Sequence, residues 1–295
     1  MHNTANQAVD KKAAIELAAA LIEQADAIIV AAGAGMGIDS GLPDFRGKDG
    51  FWRAYPALRH AGLDFYSIAS PQAFHVSPEV AWGFYGHRLA LYRRTRPHSG
   101  FEMLKRWGER LSHGVAVFTS NVDGQFQKAG FDPALIHECH GSIHHLQCLE
   151  PCCEEIWRAD DFIPDVDDQH CRLRNLPPVC PRCGGMARPN ILMFNDSGWI
   201  EHRSAGQEAR LDRWLSNTKR PVVIEVGAGT TIPSVRHFSH RVIQEHGGRL
   251  IRLNPGECDV PTKRDVGLPL GAAEGLALMA EVLGLPAPWV FGLVA

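Results

Sequence analysis

Apolar runs of five or six residues recur along the chain, and each ends in glycine or a polar cluster. AIIVA (27–31) leads into GAG, GVAVF (114–118) into Thr119, Ser120, Asn121 and Asp123, PVVIEV (221–226) into GAGTT, and RLIRL (249–253) into Asn254. Short apolar runs bounded by turn signals read as buried strands. Between them lie stretches at helical spacing, such as GFEMLKRWGERL (100–111) and VRHFSHRVIQEHG (235–247), and residues 1–26 mix charge with Ala and Leu as an amphipathic first helix does. This alternation predicts an α/β fold with a doubly wound, Rossmann-like parallel sheet, whose ligand crevice lies beyond the carboxyl ends of its strands. All four polar clusters then line one crevice.

Two segments break the alternation. Residues 48–97 carry FW, FYSIASPQAF and EVAWGFYGHRLALYRR, an aromatic helical insert, and residues 143–187 are polar and rich in cysteine. Together they predict a smaller lobe. The expected Rossmann-like domain is then 1–47, 98–142 and 188–295, and the small domain is the helical insert 48–97 with a metal-binding module at 143–187.

Composition narrows the classes. The 295 residues hold Lys+Arg 30 against Asp+Glu 33, which leaves no basic field for nucleic acid and no acidic tail. No apolar run approaches a membrane span, and the opening segment reads as a helix instead of a signal peptide, so a cytoplasmic location is expected. Eight cysteines in such a chain point to thiols or metal ligands before disulfides.

Cys180 and Cys183 form CPRC followed by Gly184 and Gly185, a half-site for a tetrahedral thiolate centre. Cys148 opens the other half in QCLEPCC. Two-residue spacing would place its mate at Pro151, so the candidates are Cys152, the shorter departure and the preferred one, and Cys153. Four thiolates fit one structural Zn²⁺ and leave no open position for water. An unmetallated redox pair is the alternative, although no thioredoxin-type context surrounds CPRC.

The densest chemistry lies in AIIVAAGAGMGIDSGLPDFRG (27–47), where a strand stops in a glycine turn. Gly33 and Gly35 leave no Cβ between the backbone and a phosphate, and a helix opening there would add its positive end. A dehydrogenase fingerprint fails, since its third small position falls on Ile38 and no acidic residue ends a strand about twenty residues later. Asp49 sits in KDGFW instead. The run resembles GAGxSxxSGIPDFRG of the sirtuins, the NAD-dependent protein-lysine deacylases. TSNVDGQFQKAGF is similar to the family's TQNIDxLHxxAG at Thr119, Asn121, Asp123, Ala129 and Gly130, HECHGS carries its HGS at His140, Gly141 and Ser142, and the paired cysteines resemble its zinc module.

The resemblance implies a chemistry in which the carbonyl oxygen of an acyl-lysine attacks C1′ of the nicotinamide ribose and expels nicotinamide. A histidine then activates a ribose hydroxyl against the alkylamidate, and water releases lysine and O-acyl-ADP-ribose. His140 is the implied general base, a role suited to a group that titrates near neutral pH. Asn121 would order the ribose and a water, and Asp123 would bind the nicotinamide carboxamide. Gly33, Ala34, Gly35 and Met36, with Asp44, Phe45, Arg46 and Ser120, would surround the NAD co-substrate near the cleaved bond. Gly227, Ala228, Gly229 and Asn254 would hold the adenosine half, with Ala273, or its neighbour Ala272, near the last adenine contact. His137, His144 and His145 lack the register of the base, and Cys171 has no partner nearby.

Three departures mark a divergent bacterial-type branch. Ser120 stands for the usual Gln, Asn195 and Asp196 for the Gly and Glu of FGE, and Ala228 and Gly229 for the Thr and Ser of GTS. Met193 and Phe194 would pair with an acyl-lysine protein substrate as an added strand. Tyr85 and Arg88 in GFYGHRL fall on one helical face and resemble the motif by which one sirtuin class selects succinyl-, malonyl- and glutaryl-lysine; the Asn195 and Asp196 change could reshape that channel or add repulsion near it. Two alternatives remain open: a protein ADP-ribosyltransferase, and an NAD or ADP-ribose sensor with little turnover.

Overall fold

The computed structural model describes residues 2–43 and 47–285. Helix α1 (His2–Gln24) precedes strand β1 (Ala27–Ala32), and the chain leaves β1 through a 3-10 turn over Ala34–Ser40. The aromatic insert folds as α2 (Gly47–Ala54), α3 (Pro56–His60), α4 (Phe65–Ile68), α5 (Pro71–Val76) and α6 (Pro78–Arg94). Prolines open α3, α5 and α6, where a missing N–H costs nothing. Then come α7 (Ser99–Gly108), β2 (Val115–Thr119), α8 (Gln125–Lys128) and β3 (Ile136–Glu138). The cysteine-rich segment contributes β4 (Gly141–Cys148), β5 (Ile156–Arg158), β6 (Val166–Asp167), β7 (Arg172–Leu173) and β8 (Ala187–Ile191). The chain returns through α9 (His202–Leu215), β9 (Pro221–Val226), α10 (Ser234–His246), β10 (Arg249–Leu253), β11 (Val266–Leu268) and α11 (Ala272–Val282).

Six strands form a parallel sheet in the order β11-β10-β9-β1-β2-β3. The four strands read from the sequence are there, and β3 and β11 extend the sheet at its two edges. Every residue of β1 is buried, and its period of two splits the core between the two faces. Ile28, Val30 and Ala32 pack with Ile22, Leu104 and Leu276, while Ile29 and Ala31 pack with Leu211, Phe238 and Val242. The expected doubly wound sheet is therefore present, with helices on both sides.

A separate apolar cluster joins Trp82, Phe84 and Tyr85 of α6 to Ile143 and Leu146 of β4 and Ala187 of β8. The short antiparallel sheet β5-β4-β8 lies in this region. Among the described residues no helix is long and apolar enough to cross a membrane.

Candidate active site

Strand order reverses between β1 and β9, so the loops leaving these two strands face each other at the switch point where doubly wound sheets bind ligands. The loops touch backbone to backbone. A Cβ at Gly33 would lie 2.7 Å from the Gly227 carbonyl oxygen, and one at Gly227, which has φ of 63°, would lie 2.4 Å from Gly35 Cα. Close approach requires glycine at both, and conformation requires it at Gly227 as well.

The expected use of these loops needs correcting. Gly33 N–H donates to Val226 O, Gly35 N–H to Gly227 O and Met36 N–H back to Gly33 O. Those three donors serve the loop itself and are not aimed at a phosphate. The turn that follows is a 3-10 helix, with Met36 fully buried beneath it.

A cavity of about 650 Å³ opens beside this junction. Gly33, Ala34, Gly227, Ala228 and Gly229 line one part of it, Ser120, Asn121, Asp123 and His140 the middle, and Tyr85, Arg88, Met193 and Phe194 another part. Gly35, Met36, Asn254 and Ala273 are not on its wall. Asn254 is buried with its amide donating to Ala228 O at 2.8 Å and its oxygen accepting from Gly256 N and Glu257 N, so it shapes the loop after β9 from behind. Ala273 N–H is held by Asp39 Oδ2 at 2.7 Å. Asp44, Phe45 and Arg46 lie outside the described residues.

Each central side chain is fixed by the strand end that delivers it. Thr119 Oγ1 donates to Ala32 O and accepts from Asn121 N–H, and Asn121 Nδ2 donates to Gly33 O at 3.0 Å, tying the loop after β2 to the loop after β1. Asp123 Oδ1 accepts from Gln125 N–H at 2.9 Å, ahead of α8. It is thus a turn former and also a wall of the cavity. Burial raises its pKa from 3.8 to about 6.

His140 follows β3, and its Nε2 lies 3.2 Å from Ser234 Oγ at the start of α10. Burial holds its pKa below the usual 6.5, with a backbone hydrogen bond at Ser120 working in the opposite direction. The imidazole is therefore mostly neutral at pH 7, as a proton acceptor must be. Sequence reasoning missed Ser234, which is 94 positions away from His140 and carries no motif. It also missed Tyr92, whose hydroxyl accepts from Arg88 Nε and Nη2 at 3.0 and 2.8 Å; its spacing of four from Arg88 on α6 was a readable signal.

The loop carrying Met193 and Phe194 follows β8. Asn195 sits at φ of 54°, the left-handed region where the family motif has Gly and where Asn is among the better tolerated side chains. Asp196 is not an unpaired charge. Its carboxylate is fully buried against Arg188, which donates from both Nη atoms at 2.8 Å.

Cys148, Cys152, Cys180 and Cys183 gather with all Sγ atoms within 4.8 Å of one another. Cys148 and Cys183 are 3.7 Å apart and Cys152 and Cys180 3.6 Å apart. A tetrahedron with zinc–sulfur bonds of about 2.3 Å has edges of about 3.8 Å, so the cluster fits Zn²⁺. Cys152 fills the place left open between it and Cys153. None of the four lines the cavity, and Cys171 lies apart, packed in the apolar cluster of the insert.

A switch-point cavity between glycine loops, with a buried histidine, asparagine and aspartate, together with a closed four-thiolate site, defines a dinucleotide-using α/β enzyme braced by metal. The chain belongs to the Sir2 family, whose profile matches residues 33–210. It is 28% identical over 256 residues to an NAD-dependent protein deacylase of Aquifex aeolicus, covering 87% of this chain and 95% of that protein. An NAD-dependent protein deacetylase of Caldivirga maquilingensis is 30% identical over 272 residues, covering 92% and 94%. Among solved structures, a Sir2 homologue in complex with NAD superposes with a TM-score of 0.67 at 23% identity, covering 90% of this chain and 92% of that one.

Proposed function

We propose that the protein is an NAD-dependent protein-lysine deacylase that releases nicotinamide and O-acyl-ADP-ribose. The observation that carries this reading is one cavity shared by the two glycine loops, His140, Asn121 and Asp123, and the Met193–Phe194 segment. When bound, NAD supplies the ribose carbon and hydroxyl that take part in acyl removal. This chain's residues do the rest. His140, kept neutral by burial, accepts the hydroxyl proton at its Nε2 once Ser234 yields that position. Asn121 orients the ribose from its anchor on Gly33 O. Asp123, buried and readily protonated, presents a hydrogen-bonding partner to a carboxamide.

The acyl-lysine protein substrate lies along Met193 and Phe194. Phe194 packs on Tyr66 with ring centroids 4.3 Å apart, giving the lysine stem an aromatic wall. Deeper in, Arg88 brings a guanidinium into an aromatic pocket, 5.1 Å from the centre of the Phe84 ring and beside Tyr85. A permanent charge in such a place suits an acyl group that ends in a carboxylate, so succinyl-lysine is the favoured class over acetyl-lysine.

The four thiolates hold one Zn²⁺ that braces the small lobe and takes no part in the reaction. The chain divides into a Rossmann-like domain of residues 1–47, 98–142 and 188–295 and a small domain of 48–97 and 143–187, a division supported by the separate apolar cluster of the insert. A cytoplasmic location accompanies this reading.

The test is mass spectrometry of the protein incubated with NAD and either succinyl- or acetyl-lysine peptide. Deacylated peptide with O-acyl-ADP-ribose, formed faster from the succinyl peptide, is expected. Protein gaining the mass of ADP-ribose would make it a transferase, and unchanged NAD and peptide would make it a sensor. A preference for succinyl should disappear in Arg88→Met, which removes a contact worth about 1.5–3 kcal/mol.

A further inference from the structure

A second cavity, of about 890 Å³, shares Asp123 with the cleft but opens between β4, β5, the turn before α8 and one face of α9. Five permanent cations line it, Arg93, Lys128, Arg158, Arg203 and Arg210, against one carboxylate, Asp123. Hydrogen bonds fix several of these cations without neutralising them. Lys128 Nζ donates to the carbonyls of Tyr92, Arg93 and Thr95, and the Arg93 guanidinium to those of Ala159 and Phe162. Among the described residues, carboxylates outside the wall form ion pairs with two of the five, Glu138 with Arg203 and Asp160 with Arg158.

Two buried nitrogen atoms of wall residues find no hydrogen-bond partner among the described residues, the Arg203 Nη1 donor and His145 Nδ1, whose role depends on the tautomer. A buried donor without an acceptor is costly, and both belong to residues lining the same space. The His145 ring is driven down to about 3, first by burial and then by repulsion from Arg203 and Arg158. The excess of positive charge and the unmet Arg203 donor call for the same thing, an anion with several acceptor oxygens. Gly206 leaves the facing turn of α9 without a side chain, which gives such an anion room. The volume is that of a small-molecule site.

We propose that this cavity binds a polyphosphate anion, with its phosphates on Arg158, Arg203 and Arg210. The site shares only Asp123 with the deacylase cleft, and its failure would leave that reading untouched. Isothermal titration with inorganic pyrophosphate tests it in the zinc-loaded full chain and in Arg158→Gln/Arg210→Gln, side chains that reach solvent and support no core. Saturable binding is expected in the unmodified protein, weakened at least tenfold in the double variant while NAD affinity stays the same. No binding to the unmodified protein, or binding that the double variant leaves unchanged, would overturn the site.

Discussion

Replacing Asp196 with alanine tests whether the loop that carries Met193 and Phe194 is held from beneath. The Asp196 carboxylate accepts from both Nη atoms of Arg188 at 2.8 Å, from Met193 N–H at 3.2 Å and from Gly198 N–H at 3.1 Å. Both side chains are 0% exposed. The alanine leaves a guanidinium buried without its counter-ion, a change that costs about 3–5 kcal/mol. For a chain of this length, about 2 °C per kcal/mol converts that into a fall in Tm of roughly 6–10 °C. Replacing the pair together, as Arg188→Met/Asp196→Leu, should recover part of the loss, because a buried ion pair exchanged for apolar side chains is often neutral. Recovery should be incomplete, since Met193 N–H and Gly198 N–H still lack their acceptor. Equilibrium urea unfolding of the zinc-loaded protein measures the energies, and KM for the acyl peptide, rising while NAD affinity holds, reports the loosened loop. A loss below about 1 kcal/mol in Asp196→Ala would refute the reasoning.

Three further outcomes follow from the site. His140→Ala should lower deacylation about a hundredfold or more with NAD binding intact, because it removes a proton acceptor and leaves the glycine loops' own hydrogen bonds in place; steady-state rates beside calorimetric NAD titration check it. Metal analysis should find one zinc per chain in the unmodified protein and in Cys153→Ser but little in Cys152→Ser, and stripping the metal should unfold the small lobe before it alters NAD binding. Asp123 has its folded-state pKa raised by burial to about 6 from 3.8, so the stability it contributes is complete below the unfolded value and is lost as pH rises through about 6. Asp123→Asn, which keeps an oxygen for Gln125 N–H, should therefore gain on the unmodified protein by up to about 3 kcal/mol between pH 4 and pH 7, read by urea unfolding at both. An equal difference at the two pH values would contradict the shift.

How far the sequence could be read depends on the length over which each signal is spread. Strands β1, β2, β9 and β10 run five or six residues and end in turn chemistry, so their pattern was visible. β3 and β11 have three residues each, too few to show a period, and they exist because a neighbour offers its edge. The cluster proposed for catalysis was legible because His140, Asn121 and Asp123 sit in local motifs just past strand ends, and all three line the cavity. Spacing alone left Cys152 and Cys153 open, and only the folded turn brings Cys152 to Cys180. The Arg188–Asp196 pair, the Ser234 contact and the second cavity arise from side chains brought together by tertiary packing, which no periodicity encodes. Asn195 reads as a lost glycine in the sequence, whereas its backbone shows that the left-handed geometry was kept.

The central claim is that His140 and the cavity around it couple nicotinamide release to acyl removal. The most direct measurement is the stoichiometry of nicotinamide and deacylated peptide formed from NAD and succinyl-lysine peptide, with ¹⁸O-water present to trace the oxygen that water contributes. The account predicts one nicotinamide for each deacylated peptide, with ¹⁸O recovered in the acyl product and both products depending on the peptide. Deacylated peptide formed without NAD, or nicotinamide released at the same rate whether or not the peptide is present, would contradict it.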